Sequence, residues 1–297
     1  MKSILKYLLV GVMFIQFASC EEDLLNEEHY KKIIYLKSGD NNIFSYPHAL
    51  NDSLTTGYIT VGSGGSMPLD NDVLVKLVMD EDAIGQLESY NYRYFGEEYG
   101  KYAQMLKPER YVLPSFDIIL RAGQLSATTY VPIQVDANGL SPDTTYMLPL
   151  RIQSVEGVEI NEEKNFVLYE IKLENKYSSV KSRTYKMRGT RQPESASMAS
   201  NITTNKELAP LSKNEVRIFP ENLNYSTDLA TIERSTIVLT IHDDNKVTLR
   251  PYRTIKVEQL EDCTYDPEEK LITINYKYRR ASDSEWITVH ERLYRIE

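Results

Sequence analysis

The sequence contains few residues of the kinds that hold metal ions or cross-link chains. It has 2 Cys and 4 His among 297 residues, and neither type recurs at the spacing of a metal site. So few cysteines exclude a disulfide scaffold and a zinc site of the cysteine type. The scattered histidines give no support to a histidine-based site. We therefore expect neither a metal nor a cofactor.

Long apolar runs are also lacking, apart from one near the start that is too short to span a bilayer. Residues 7–18 are apolar except for Gln16, whereas a transmembrane helix needs about 20 such residues. Lys2 and Lys6 precede this run, and small residues follow it. This pattern predicts a signal peptide over residues 1–19 and no retained transmembrane anchor.

Two small residues directly precede Cys20, which resembles the lipoprotein box of bacteria, although Phe17 replaces the usual leucine. The acidic residues 21–23 resemble the export signal of Bacteroidetes surface lipoproteins. The resemblance implies that Cys20 is acylated, and the acidic and polar composition of residues 20–30 predicts a tether between the lipid and the first domain. The protein would then be lipid-anchored in the outer membrane and face the cell exterior. An ordinary secretory signal with a chance cysteine is the alternative.

Positive charge is in deficit, since the formal net charge is −9. An acidic protein attracts neither nucleic acid nor an anionic membrane surface. We therefore expect no nucleic-acid partner, and we expect attachment to the membrane only through the lipid.

Motifs of catalysis are lacking as well. The glycine-rich residues 62–66 are not followed by the Lys-Ser or Lys-Thr of a phosphate-binding loop. No Gly-x-Ser-x-Gly elbow occurs. A glycosidase needs two carboxylates at a set separation, and nothing among 43 acidic residues selects such a pair. The sequence thus provides no catalytic residue and favours a protein that is not an enzyme.

Short runs of β-branched and aromatic residues, separated by turn residues, fill most of the chain. They predict an all-β protein with one short helix, capped by Asp80. Residues 31–175 are expected to form an Ig-like β-sandwich. Residues 176–297 are expected to form an antiparallel meander that curls into a calycin- or lipocalin-like barrel or half-barrel. Because Pro132 and Pro149 lie within runs, their strands should be edges or bulged.

Several segments of the first predicted domain carry a family resemblance. They are Ala122-Gly123, Val131–Val135, Leu140, Tyr146–Ile152 and Tyr169–Asn175. They resemble the uncharacterised Ig-like N-terminal domain of Bacteroidetes surface lipoproteins, which also precedes endo-β-N-acetylglucosaminidase modules. The remainder resembles the uncharacterised calycin-like domain that often follows it. The resemblance implies a role in a glycan-uptake system and names no catalytic residue.

Tyrosine is abundant, with 22 Tyr against 7 Phe and 1 Trp. Its ring suits stacking on sugars as well as partly exposed sheet surfaces. Local aromatic density nominates Tyr90, Tyr92 and Tyr94 as ligand-binding residues. Packing of the helix onto its sheet is the alternative reading of these tyrosines.

The only Trp gives a fourth candidate. In the last predicted strand, Ile287, Val289 and Leu293 share one face, which should point inward. Trp286 then lies on the other face with His290, Arg292 and Tyr294. It could bind a sugar there or pack against the first domain.

Together these patterns predict a noncatalytic cell-surface lipoprotein that binds a carbohydrate or host glycan for an uptake system. Its expected partners are the glycan and an outer-membrane glycan transporter complex. A structural or adhesive protein acting through protein–protein contacts is the alternative, and an unrecognised glycosidase is the third reading.

Overall fold

The structure is a computed structural model that describes residues 28–80 and 82–296. Strands make up most of its regular structure, which confirms the predicted all-β class. Cys20 and the acidic residues after it lie outside the described residues, so acylation stays a prediction. None of the helices in the described part of the chain is long and apolar enough to cross a membrane.

The first part of the chain folds into two sheets. Its strands are β1 (Ile33–Leu36), β2 (Ile43–Ala49), β3 (Thr55–Gly64), β4 (Val73–Met79), β5 (Gln104–Met105), β6 (Tyr111–Val112), β7 (Asp117–Leu120), β8 (Thr128–Val135), β9 (Tyr146–Val155), β10 (Glu159–Ile160) and β11 (Phe166–Glu174). One sheet is 5-stranded, in the order β10-β1-β3-β8-β6. The other is 6-stranded, in the order β2-β11-β9-β4-β7, with β5 beside β9.

The two sheets pack face to face as a sandwich. Alternate residues of β4, such as Val75 and Leu77, are buried in the same apolar cluster as Val131 and Ile133 of β8. This period of two is what a strand with one buried face requires. The core of the first domain therefore lies between its two sheets.

Helix α1 (Ala83–Phe95) packs on the outer face of the 6-stranded sheet and includes the tyrosine-rich stretch. It begins after Asp82, so the prediction that Asp80 caps it is wrong. The Asp80 carboxylate is instead held by Arg151, whose Nη2 lies 2.8 Å from Oδ2. Leu87 anchors the helix in a small apolar cluster with Met147.

Pro149 lies in a strand that is not an edge but is bulged, which is one of the two alternatives that its run predicts. Opposite β4, β9 has one extra residue, because Lys76 pairs with Ser154 and Leu77 pairs with Ile152. β9 runs between β11 and β4. Its neighbour on one side changes near the proline, because β5 pairs with Tyr146 and Met147 whereas β4 pairs from Leu150 onward. The missing N–H of Pro149 falls at this change of partner, where a ladder hydrogen bond is not required.

The second part of the chain forms one 10-stranded sheet. Its strands are β12 (Thr184–Pro193), β13 (Ser200–Glu207), β14 (Ala209–Pro210), β15 (Glu215–Ile218), β16 (Ile237–Ile241), β17 (Lys246–Pro251), β18 (Lys256–Gln259), β19 (Cys263–Asp266), β20 (Leu271–Arg279) and β21 (Ile287–Arg295). A second helix, α2 (Leu229–Ser235), was not expected. Residues 28–80 and 82–296 therefore include two short α-helices, where the sequence pattern predicts one.

This sheet curls until its two ends meet in one segment. The strand order is β13-β12-β21-β20-β19-β17-β16-β15-β14, with β18 also beside β20. β13 and β14 are separated only by Leu208, so residues 200–210 supply both ends of the path. The side chains that point inward, among them Ile274, Tyr276 and Val289, form a single core. The barrel-like prediction is thus confirmed.

The sandwich and the barrel meet through buried polar contacts. Arg217 of β15 donates two hydrogen bonds, of 2.5 and 2.6 Å, to the two oxygens of Asp143 in the first domain. Asn175, just after β11, donates to the carbonyl oxygen of Ser212 at 2.7 Å. A bidentate pair fixes the relative orientation of the two partners as well as their distance.

Candidate functional site

The barrel interior contains a buried ion pair, and its charged groups make it a candidate active centre. Lys206 and Glu291 are 5 % and 1 % exposed. Lys206 Nζ donates to both Glu291 oxygens, at 3.0 and 2.8 Å, and to the carbonyl oxygen of Phe219. Tyr276 donates its hydroxyl proton to Glu291 at 2.8 Å. Burial lowers the pKa of Lys206, and the adjacent Glu291 carboxylate opposes that shift.

A second buried carboxylate, Glu221, lies beside this pair and is equally satisfied. It accepts hydrogen bonds from Arg191 and from the Tyr278 hydroxyl, while its own N–H donates to Glu291. Buried groups that already hydrogen-bond to one another have no donor or acceptor left for a substrate. The arrangement stabilises the barrel interior and does not form a catalytic pair.

The structure separates the candidate tyrosines of α1 into different surroundings. Tyr90 and Tyr94 lie on one face, with ring centroids 4.6 Å apart. Burial raises the pKa of Tyr90 to about 12, and its ring packs on the small apolar cluster under the helix. The Tyr94 hydroxyl accepts a hydrogen bond from Asn41 at 2.8 Å. Tyr90 therefore packs the helix onto its sheet, as the alternative reading of these tyrosines predicts.

Tyr92 is 73 % exposed, and it lies two residues from Tyr90 and Tyr94, which places it on a different side of the helix. The cleft beside Tyr90 and Tyr94 also includes Arg93 and has a volume of about 220 Å³. The tyrosines therefore do not form one continuous platform. Ligand binding by them stays a prediction.

Trp286 belongs to the barrel, where it precedes β21. Two cations of β20 lie over its ring, with Lys277 Nζ 4.9 Å and Arg279 Cζ 5.5 Å from the ring centroid. It shares the outward face of β21 with Arg292 and Tyr294, whereas Val289 and its alternates point inward. The four candidates are thus spread over two domains.

A larger depression lies on the outer face of the barrel, over strands β12, β13, β20 and β21. It has a volume of about 790 Å³ and is open along its length. We call it the basic groove, and the outward side chains that line it are Lys186, Arg188, Thr190, Asn201, Thr203, Thr273, Asn275, His290, Arg292 and Tyr294. All belong to strands of the sheet, so a rigid framework holds them.

The centre of the basic groove is formed by two arginines that face each other. Arg188 on β12 is paired directly with Arg292 on β21, and Thr203 and Thr273 flank them on the outer strands. Gly189 permits the close approach of the two strands, because a Cβ atom there would lie 2.0 Å from the carbonyl oxygen of His290. Directly opposed residues have Cβ atoms only about 5 Å apart.

Within the part of the chain that the structure describes, the cations of the basic groove have no acidic partner. Throughout residues 28–80 and 82–296, no carboxylate forms an ion pair with Lys186, Arg188 or Arg292. Arg292 instead lies over the ring of Tyr294, with Cζ at 5.3 Å. By contrast, Lys277, nearer Trp286, is paired with Glu258 at 2.8 Å. Unbalanced positive charge is thus concentrated in the basic groove.

Neutral polar groups complete the lining. His290 Nδ1 lies 2.9 Å from Asn275 Oδ1, and the hydroxyl of Thr190 stands opposite His290 on β12. Hydroxyl, amide and imidazole groups can donate and accept hydrogen bonds, as the hydroxyl groups of a polar ligand require. Among the described residues, no group of three or more His, Cys, Asp or Glu side chains is placed to bind a metal ion.

Sequence reasoning placed His290, Arg292 and Tyr294 correctly on the outward face but did not nominate them, and it missed Lys186 and Arg188. The alternation of Lys186 and Arg188 with buried Tyr185 was visible in the sequence. The pairing of β12 with β21 was not, since it joins segments far apart in the chain. The site exists only because of that pairing.

The fold and its two domains match known family models. One model describes an N-terminal domain and matches residues 30–159, and another describes a C-terminal domain and matches residues 165–294. The chain therefore belongs to the two-domain family that these models describe, which confirms the resemblance drawn from the sequence. Neither description names a catalytic activity. No curated protein matches the sequence.

Solved structures share the whole arrangement. A protein of unknown function from Bacteroides ovatus is 16% identical, with a TM-score of 0.63 over 89% of this chain and 91% of its own. An auxiliary nutrient binding protein from Bacteroides thetaiotaomicron is 12% identical, with a TM-score of 0.56 over 87% and 92% of the two chains. At such identities the likeness shows the fold.

Proposed function

We propose that this protein is a noncatalytic binding protein that captures a carbohydrate in the basic groove. The observation that carries the proposal is the groove itself, which is open, preformed on four strands and lined by hydroxyl, amide and cationic groups with a tyrosine ring at one end. An open groove admits a chain-like ligand, and a ligand rich in hydroxyl groups matches the hydrogen-bonding capacity of this lining.

The comparison with the Bacteroides thetaiotaomicron protein supports a binding role, since that protein is described as an auxiliary nutrient binding protein and has the same two-domain fold. The support is by analogy, because one fold serves many functions. Among this chain's own residues, those that line the basic groove support a binding role.

Display on the outer surface of the cell completes the proposal. Acylation of Cys20 would tether the protein, and the acidic residues after it would direct the tether outward. A groove that is held at the cell surface by a lipid raises the concentration of a glycan there, and it does so without cleaving the glycan. Its partner would be an outer-membrane glycan transporter complex.

Capture without cleavage agrees with the state of the buried carboxylates. A glycosidase needs one carboxylic acid and one carboxylate that both reach the scissile bond. Glu221 and Glu291 are nearly inaccessible and are bonded to Arg191, Lys206 and two tyrosines. Neither carboxylate can therefore contact a sugar on the outside of the barrel.

The test uses the protein expressed without residues 1–20, which keeps every residue that the structure describes. Binding to plant, host and microbial polysaccharides is measured by calorimetry, together with the release of reducing sugar. Thr203→Trp should obstruct the basic groove and abolish binding. Thr56→Trp, at an exposed threonine on β3 of the first domain, is the matched control and should bind normally.

Each outcome decides between the candidate functions. Binding that Thr203→Trp abolishes, with no sugar released, supports capture. Release of sugar would contradict a noncatalytic role. Absence of binding to every polysaccharide would contradict the proposal and favour the structural or adhesive alternative, which recovery of a protein partner would then test.

A further inference from the structure

The opposed arginines of the basic groove are an unfavourable arrangement for the protein alone. Like charges directly opposite each other on neighbouring strands destabilise a sheet. Arg188 and Arg292 occupy such positions, and Lys186 adds a third positive charge on β12. None of the three has an ion-pair partner among residues 28–80 and 82–296. A ligand that supplies negative charge would remove this repulsion.

We infer that the basic groove binds an acidic carbohydrate, whose carboxylate or sulfate groups pair with Arg188 and Arg292. The inference rests on the proposed carbohydrate-binding function and names the class of ligand. Guanidinium groups bind carboxylate and sulfate oxygens through paired N–H donors, so two of them can hold one anion from both sides.

The surroundings of the arginines orient them for this contact. Arg292 is placed over the Tyr294 ring, which limits the conformations of its side chain. Both arginines are exposed, so their donors are accessible to a ligand that enters the open side of the groove. Lys186 is paired with Tyr294 across the strands and extends the positive surface beyond the arginines.

The same surface favours a carbohydrate over other polyanions. Its cations are flanked by threonine and asparagine side chains, which suit the hydroxyl groups between the charges of an acidic glycan. The formal net charge of the chain is −9, so its overall field attracts no polyanion from a distance, and binding depends on contacts made within the groove. The positive charge is local, as recognition of spaced anionic groups requires.

The test compares polysaccharides that differ only in charge. Polygalacturonate is measured against its fully methyl-esterified form, and chondroitin sulfate against chemically desulfated chondroitin and its carboxyl-reduced form. We expect the acidic form of at least one pair to bind, with its affinity falling as salt is added. The form from which the recognised carboxylate or sulfate group has been removed should bind at least tenfold more weakly. These pairs also separate carboxylate from sulfate as the recognised group.

Paired variants assign the effect to the groove. Arg188→Gln/Arg292→Gln should lower the affinity for the acidic form by about tenfold or more, as expected for loss of charge-assisted hydrogen bonds. Lys37→Gln/Lys107→Gln removes the same charge from exposed lysines of the first domain and is the control. Because removing opposed charges relieves repulsion, the arginine variant should melt no lower than the unmodified protein.

Three results would overturn the inference. The neutral and acidic forms could bind equally, with both affinities lost in Thr203→Trp. This result would support carbohydrate capture in the groove and exclude recognition of charge. Equal binding of polyglutamate or of phosphatidylglycerol vesicles would show a general anion surface and would count against a carbohydrate ligand. Failure of every acidic polysaccharide to bind would also contradict it, and neutral glycans would then decide the proposed function separately.

Discussion

Lys206 and Glu291 form an ion pair inside the barrel across an intervening strand, since β12 lies between β13 and β21. The pair therefore links strands that share no backbone hydrogen bonds. Replacing Lys206 with Met would leave the Glu291 charge buried without its cation, and such a loss typically costs about 3–5 kcal/mol.

We expect Lys206→Met to lower the free energy of unfolding of the barrel by about that amount, measured by urea unfolding. Lys206→Met/Glu291→Leu should recover part of the loss, because it removes both charges. Lys31→Met breaks an exposed pair with Glu159 and should change stability by less than about 1 kcal/mol. Equal effects of the buried and exposed variants would contradict this view of the interior.

Stability of the sandwich should depend on pH through His48. Its Nε2 lies 2.7 Å from the Tyr169 hydroxyl and its Nδ1 lies 2.8 Å from the Thr55 hydroxyl. Burial lowers the pKa of His48 to about 4, whereas an unfolded histidine has a pKa of about 6.5. Between these values the unfolded state binds more protons, so the free energy of unfolding decreases as pH falls from about 6.5 to 4.

The expected loss over this range is about 3 kcal/mol at most, measured by urea unfolding at a series of pH values. His48→Gln should remove this part of the pH dependence, and His242→Gln, at an exposed position, should keep it. An identical pH profile in the unmodified protein and His48→Gln would show that another group is responsible.

Contact between the domains should depend on Asp143. The side chain of Arg217 is 4% exposed and stacks on Tyr252, with Cζ 4.8 Å from the ring. Asp143→Asn removes the charge that balances this buried guanidinium, so the domains should unfold in separate calorimetric transitions and residues 175–183 should become sensitive to protease. Lys213→Gln breaks an exposed pair with Asp52 across the same boundary and should leave both readouts unchanged.

Trp286 should report ligand binding and test the aromatic prediction. It is the only Trp and shares the outer face of β21 with the basic groove. A long glycan bound in the groove should change the fluorescence of Trp286. If the ring stacks on a sugar, Trp286→Ala should lower the affinity for that glycan by about three- to tenfold. Tyr92→Ala, on α1, should have no effect. The reverse pattern would place the site on the helix.

Strand patterns were readable from the sequence because alternation of buried and exposed residues is local. The inward face of β21 was predicted correctly from Ile287, Val289 and Leu293, for example. Features that depend on tertiary partners were not readable. Asp80 pairs with Arg151 instead of capping α1, and Pro149 is accommodated by a change of neighbouring strand.

The candidate site illustrates the same limit. Aromatic density drew attention to Tyr90, but its partly buried packing follows from the sheet beneath the helix. Arg188 and Arg292 are unremarkable in the sequence, because each is one charged residue on the outer face of a strand. Only the register of β12 against β21 makes them neighbours. Composition could therefore indicate a polar binding surface, but not its location.

Closure of the barrel through residues 200–210 imposes an order on its folding. β12 pairs with β13 on one side and with β21 on the other, so its second neighbour is present only once nearly all the barrel sequence is available for folding. The sandwich has all its strands by Glu174 and can fold before that time. Barrel formation must await distant contacts, which slows folding, and until then the edge of β12 is available to chaperones.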